Sequence, residues 1–276
     1  MSLERGRVRP PALAGQWYPG TAAALDAEVR GLLARARAAG VGDRLGRLAS
    51  VDFIVTPHAG IMYSGPTAGY AWGAAPADAR RIVLVGPSHR VAFRGVALGD
   101  FEAYRIPTGL VPVDRAALAA LEAAYPDICG FVPGAHDAEH CLEIQLPFAH
   151  AVLPRAPIVP LLVGAVSTAE LSTLLSAVLQ AGDLLAVSTD LSHFHPYDDA
   201  RRRDLATLES IVSLATGGLT GEDACGHRGV SAAGALAKRR HYDAVLLDYR
   251  CSGDTGGDRD AVVGYGAVAF GPPHQG

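Results

Sequence analysis

The chain has 276 residues, of which 49% are hydrophobic and 19% charged, and its formal net charge is −4. A chain of this length buries roughly three quarters of its unfolded surface, so it can sustain a sizeable core without disulfide staples. The acidic balance argues against a protein that holds nucleic-acid backbones by charge, and no run approaches the roughly 20 apolar residues of a membrane span. The opening MSLERGRVRPPALAG lacks the apolar core of a secretory signal. Its four cysteines (Cys129, Cys141, Cys225, Cys251) form no CxxC pair, and a cytoplasmic protein with free thiols is expected. Lys238 is the only lysine among 24 Lys and Arg residues, a bias that reads as genome composition before function.

In chain order, an extended entry through Trp17-Tyr18-Pro19-Gly20 leads to a predicted helix from Thr21, its N-cap, to Ala39, with Gly40 as the stop. Short continuous apolar runs follow at Val51 to Val55, Arg81 to Val85, Ile158 to Val163 and Leu184 to Val187. Runs of that kind mark strands buried on both faces. Helical stretches separate them at Thr67 to Ala74, Asp114 to Ala124, Ala138 to Leu153, Thr168 to Ala181, Asp198 to Leu214 and Arg228 to Arg240. Tyr242 to Tyr249 and Ala261 to Phe270 read as closing strands. Strands alternating with helices predict one α/β domain over 1–276, with a central, largely parallel sheet flanked by helices.

The histidines fall in an informative place. His58, His89 and the pair Asp190/His193 each follow the C-terminal end of a predicted buried strand. Ligands and catalytic groups gather at that edge of an open α/β sheet. A single loop histidine is usually just solvated, but three polar clusters at one edge point to a site. Two or three imidazoles with an anionic ligand make a transition-metal centre. Cys225, in Ala224-Cys225-Gly226-His227 ahead of the last helix, is a candidate thiolate, against the plainer reading of a small buried residue.

Several ordered blocks make the pattern more specific. Pro57-His58-Ala59-Gly60-Ile61-Met62-Tyr63-Ser64-Gly65, Gly86-Pro87-Ser88-His89, Glu139 through Phe148, Ser188 through His193, and Cys225-Gly226 together resemble the Memo family, whose bacterial and archaeal members are often labelled AmmeMemoRadiSam system protein B. Arg9-Pro10-Pro11 through Trp17-Tyr18-Pro19 and Val263-Gly264-Tyr265 extend the resemblance over nearly the whole chain. It implies a fold related to class III extradiol dioxygenases, with His58, His89 and Cys225 as ligands of iron or copper. It also implies His193, with Asp190 beside it, as the acid/base or substrate-contacting group. A thiolate in place of a carboxylate favours copper or redox chemistry over ordinary ring cleavage. The resemblance further implies work beside a radical SAM protein. The chain departs from the family pattern at Cys141, where serine is usual, at His227, and at His195, any of which adds a potential ligand or proton carrier.

Other motifs are weaker. His136-Asp137-Ala138-Glu139-His140 spells the inverted zinc-peptidase pattern H-x-x-E-H. Val132-Pro133-Gly134 lies just upstream, so His136 is expected to precede the helix and Asp137 to cap it. His140 is better placed as a proton carrier at the metal pocket, or as a histidine bonded within its own helix, and Glu139 and Glu143 are read as facing solvent or a helix N-terminus. Asp254-Thr255-Gly256 has no second copy to make an aspartic-protease pair and reads as a turn. Arg201-Arg202-Arg203 reads as a solvated helix face. No Gly-rich phosphate loop supports a nucleotide cofactor. Two functions remain: an iron or copper oxidoreductase, dioxygenase-like, acting on a small substrate, or a non-catalytic metal-binding scaffold in a multi-protein system.

Overall fold

A computed structural model describes residues 7–274. Its first half contains β1 (Val8–Arg9), α1 (Ala22–Ala38), α2 (Val41–Arg44), β2 (Phe53–Thr56), α3 (Ile61–Gly73), β3 (Arg81–Pro87), β4 (Val96–Leu98), β5 (Ala103–Ile106), β6 (Gly109–Pro112), α4 (Arg115–Ala124) and β7 (Cys129–Gly130). Then come α5 (Leu146–Val152), β8 (Ile158–Val163), α6 (Thr168–Val178), β9 (Asp183–Ser188), β10 (His193–His195) and α7 (Tyr197–Val212). The chain closes with α8 (His227–Arg239), β11 (Asp243–Cys251), α9 (Ser252–Thr255) and β12 (Val262–Gly271).

The main sheet runs β10-β12-β2-β9-β3-β8-β4-β7, with β11 paired to the other side of β12. Its centre, β2-β9-β3-β8, is parallel as expected. The flanks are not: β12 runs antiparallel to β2, β10 and β11, and β4 runs antiparallel to β8. The sheet is therefore mixed. A small separate sheet, β1-β5-β6, ties the start of the chain to the middle. The central strands are buried along their length because helices cover both faces. α3 packs against α1, α5, β2, β11 and β12, while α8 packs against α6, β3 and β9. One hydrophobic core joins these layers, from Leu25 of α1 to Phe270 of β12.

Local rules explain the clearest elements. Thr21 caps α1 by accepting from the Ala24 amide at 3.4 Å, and Leu25, Val29, Leu32, Leu33 and Ala36 form its buried stripe. Ser167 and Glu170 form a capping box on α6. Three expectations are corrected. α3 begins at Ile61, six residues before Thr67, and carries Pro66 inside it. The helix expected over 138–153 forms only as a single 3₁₀ turn at Glu143–Gln145 and then α5. Asp137 caps nothing there; it pairs with Arg7 at 3.2 Å. The Asp254 triplet does lie in the connection between β11 and β12, where Asp254 and Thr255 end the short helix α9, and Arg202 and Arg203 do face solvent on α7, while Arg201 is half-buried over the rings of Tyr197 and Tyr249.

The register matters for function. Thr56 pairs with Ser188 across β2 and β9, and Val85 pairs with Val187 across β3 and β9. Strands β2, β3 and β9 thus end nearly flush, and the loops at 57–60, 88–90 and 189–192 open at one edge. The N-terminus of α8 comes to the same edge: the Gly226 amide donates to Thr189 Oγ1 at 2.8 Å and the Cys225 amide to the Asp190 carbonyl at 3.2 Å. A Cβ on Gly226 would lie 2.8 Å from the Ser188 carbonyl oxygen, so only glycine admits this approach.

Candidate metal centre

Three imidazoles converge at that edge. His58, His89 and His140 each place a ring nitrogen within 4.8 Å of the others'. Their ring centroids are 5.1 Å (His58–His89), 5.3 Å (His58–His140) and 4.4 Å (His89–His140) apart. His58 is buried, His140 nearly so, and His89 opens to solvent.

The bonds around His58 fix its tautomer. Ser188 Oγ has one proton and donates it to the Cys141 carbonyl at 2.6 Å, a group that can only accept. Gln145 Nε2 donates to the same hydroxyl at 2.9 Å. His58 Nδ1, 3.0 Å from Ser188 Oγ, must then be the donor in that contact, which leaves the lone pair on Nε2. That nitrogen lies 3.2 Å from Cys225 Sγ. Burial, reinforced by His89 and His140, holds the His58 pKa well below its usual value, so the ring stays neutral as a metal ligand must. Gln145 is itself locked by the Trp72 indole at 2.9 Å, Thr56 Oγ1 at 3.1 Å and the Pro57 carbonyl at 2.8 Å.

Cys225 borders His58 but completes no comparable group with His89. Its sulfur also accepts the Asp190 amide at 3.3 Å. Burial, with the Asp190 charge adding to it, pushes the thiol up to about 12, so without a cation it is protonated at neutral pH. Asp190 is buried and accepts the His58 amide at 2.7 Å; burial pushes its carboxyl up against the pull of that amide and of His193. His193 is half-buried at the start of β10, and among the described residues its ring hydrogen-bonds none of the three imidazoles. His195 and His227 join no metal-sized group there, and His227 faces Gly221. Cys141 is buried behind His89 with its thiol on the Pro87 carbonyl at 3.1 Å.

Several partners were not legible in advance. Glu139 and Glu143, expected at solvent or a helix end, are both buried. Glu139 accepts the His89 amide at 2.6 Å, His89 Nδ1 at 2.9 Å and the His140 amide at 2.9 Å. Glu143 pairs with buried Arg9 and accepts the Ala12 and Leu13 amides and Tyr18 Oη, the last at 2.6 Å. Arg9 also donates to the carbonyls of His136 at 2.6 Å and Glu139 at 2.8 Å. This clamp straps residues 9–18 across the site and sets Trp17 on His140, with ring centroids 4.8 Å apart. His136 points elsewhere: its Nε2 donates to the Ala97 carbonyl at 3.0 Å, so Nδ1 accepts from Tyr104 Oη at 2.9 Å. No helix carries His136 and His140 together, and the peptidase arrangement is not formed.

Convergent imidazoles beside a thiol suit a transition-metal ion. A second group, His89, Glu139 and Cys141, is equally compact, but its atoms are committed to protein hydrogen bonds and support the first.

A model of Memo-like proteins matches residues 9–269. A MEMO1 family protein from Ignicoccus hospitalis is 32% identical, aligned over 95% of this chain and 98% of its own length. MEMO1 family proteins from Archaeoglobus fulgidus and a Thermotoga species are also 32% identical, each over 95% of this chain and 99% of theirs. The crystal structure of an uncharacterized protein, JW3007, from Escherichia coli K12 superimposes with a TM-score of 0.51 at 14% identity, over 80% of this chain and all of that one, a likeness of fold alone. Matched along nearly its whole length, the chain belongs to the Memo family.

Proposed function

We propose that the protein holds a redox-active iron or copper ion at His58 and His89, with Cys225 supplying the anionic ligand, and that it oxidises or oxygenates a small substrate. The observation that carries this reading is the cluster of three imidazoles with a thiol at its border, Cys225 Sγ lying 3.2 Å from the free nitrogen of His58. The metal would supply a redox couple and an open coordination position. The chain's own groups do the rest. Ser188 holds the His58 ring and Asp190 holds its backbone. Cys225 gives up its proton when its sulfur binds a cation. His193, next to Asp190 and outside the imidazole cluster, carries protons to or from the substrate, and Trp17 walls one side of the site.

The test is anaerobic purification with metal analysis of the wild type beside His58→Ala and Cys225→Ala, followed by nitric oxide spectroscopy of the iron form. Near-stoichiometric metal that is lost in both variants, with nitric oxide on the iron, supports the reading. No metal in the wild type, or metal indifferent to both substitutions, refutes it and leaves the scaffold, whose radical SAM partner co-purification would then seek.

A further inference from the structure

His89 and His140 come from one loop and one irregular segment, and neither has a rigid element of its own to aim it. What they share is a single carboxylate. Glu139, 2% exposed, takes the His89 amide on Oε2 at 2.6 Å; Oε1 takes the His140 amide at 2.9 Å, the Cys141 amide at 3.2 Å and His89 Nδ1 at 2.9 Å. His140 Nδ1 lies 3.1 Å from the same Oε1, off the ideal hydrogen-bond line, and has no other polar partner among the described residues. Arg9, reaching from the far end of the chain, fixes the Glu139 carbonyl.

We propose that Glu139 is the positioning residue of this centre: it keeps the proton of His89 and of His140 on Nδ1 at once, turns both Nε2 lone pairs toward His58, and thereby makes His140 a third nitrogen donor instead of a proton carrier. The inference rests on the metal reading above. Its logic is one of donors and acceptors. The three backbone amides around Glu139 can only donate, so both of its oxygens are acceptors, and an ionised carboxylate offers nothing to a ring nitrogen except another acceptor. An imidazole facing such a group is held as the Nδ1–H tautomer, and its Nε2 is free for a metal. Ser188 does the same for His58, so two polar groups set the tautomers of all three rings.

The experiment is long-range proton–nitrogen NMR of metal-free protein labelled with ¹⁵N-histidine, with signals assigned by His89→Gln and His140→Gln, alongside Co²⁺ titration of wild type and Glu139→Gln. The expected result is Nδ1–H on His58, His89 and His140 in the wild type. In Glu139→Gln, at least one of His89 and His140 moves its proton partly to Nε2, His58 does not, and Co²⁺ affinity falls about 10–100-fold. A wild-type His89 or His140 protonated on Nε2 overturns the inference, as does a folded Glu139→Gln that binds Co²⁺ like the wild type. Should Glu139→Gln fail to fold, the wild-type tautomers still decide. A wild type that binds no Co²⁺ removes the metal reading, while the tautomer comparison judges Glu139 separately.

Discussion

Replacing Arg9 by methionine keeps an unbranched side chain of similar reach and removes its charge and five donors. Arg9 is 1% exposed and Glu143 is not exposed at all, so the substitution strands a carboxylate in the interior. Glu143 would keep the Ala12 and Leu13 amides and Tyr18 Oη, which soften the loss without neutralising the charge. The His136 and Glu139 carbonyls would each lose a charged donor. Breaking one partner of a buried pair costs about 3–5 kcal/mol, a large fraction of the roughly 5–15 kcal/mol that holds a domain together. At about 2–4 °C per kcal/mol for a chain near this size, Tm should fall by roughly 10 °C. Urea unfolding followed by far-UV circular dichroism measures the change. Adding Glu143→Gln removes the stranded charge and should recover part of it. A loss below about 1 kcal/mol for Arg9→Met, or a double variant no more stable than the single, would refute the clamp as the strap's anchor.

Acid should weaken the fold through His136, whose pKa burial lowers to about 4 from an unfolded value near 6.5. The unfolded chain then binds the extra proton first, so this group costs about 2 kcal/mol of stability between pH 7 and pH 5, and His136→Gln should flatten that slope in denaturant titrations. Gly264→Ala would place a Cβ 2.0 Å from Asp204 Oδ2. Asp204 holds the Ser192 amide just before His193, so a loss of about 1–3 kcal/mol or more is expected in thermal melts, and an unchanged Tm would contradict the packing. Saturating metal should stabilise the fold: Fe²⁺ added anaerobically at 100 times its Kd is worth about 2.7 kcal/mol in the wild type and nothing in His58→Ala, read as a shift in Tm.

The parts of this molecule readable from its residues are those where one physical demand acts locally. Ile158 to Val163 is a strand end to end because six apolar residues in a row fit a site buried on both faces. Thr21 and Asp114 begin their helices as side-chain caps should. Strands β4 to β7 and β10 are two to four residues long, and only their partners define them. The segment 138–142 reads as helix, but its His140 and Cys141 amides are spent on the Glu139 carboxylate, an arrangement that propensity cannot show. Glu143 looked like a surface acid because its partner Arg9 lies 134 residues away. The site follows the same division. His58, His89 and Asp190 stood out because they end buried strands, and the register brings those ends together. Cys225 reaches His58 through a fold-wide approach of α8, and His140 enters the cluster on a segment with no regular structure.

The most direct measurement is anomalous diffraction at the iron and copper edges from crystals grown anaerobically. The account predicts one strong peak between the imidazoles of His58 and His89, within bonding distance of Cys225 Sγ. A peak elsewhere on the molecule, or none at either edge in protein given both metals, would contradict it.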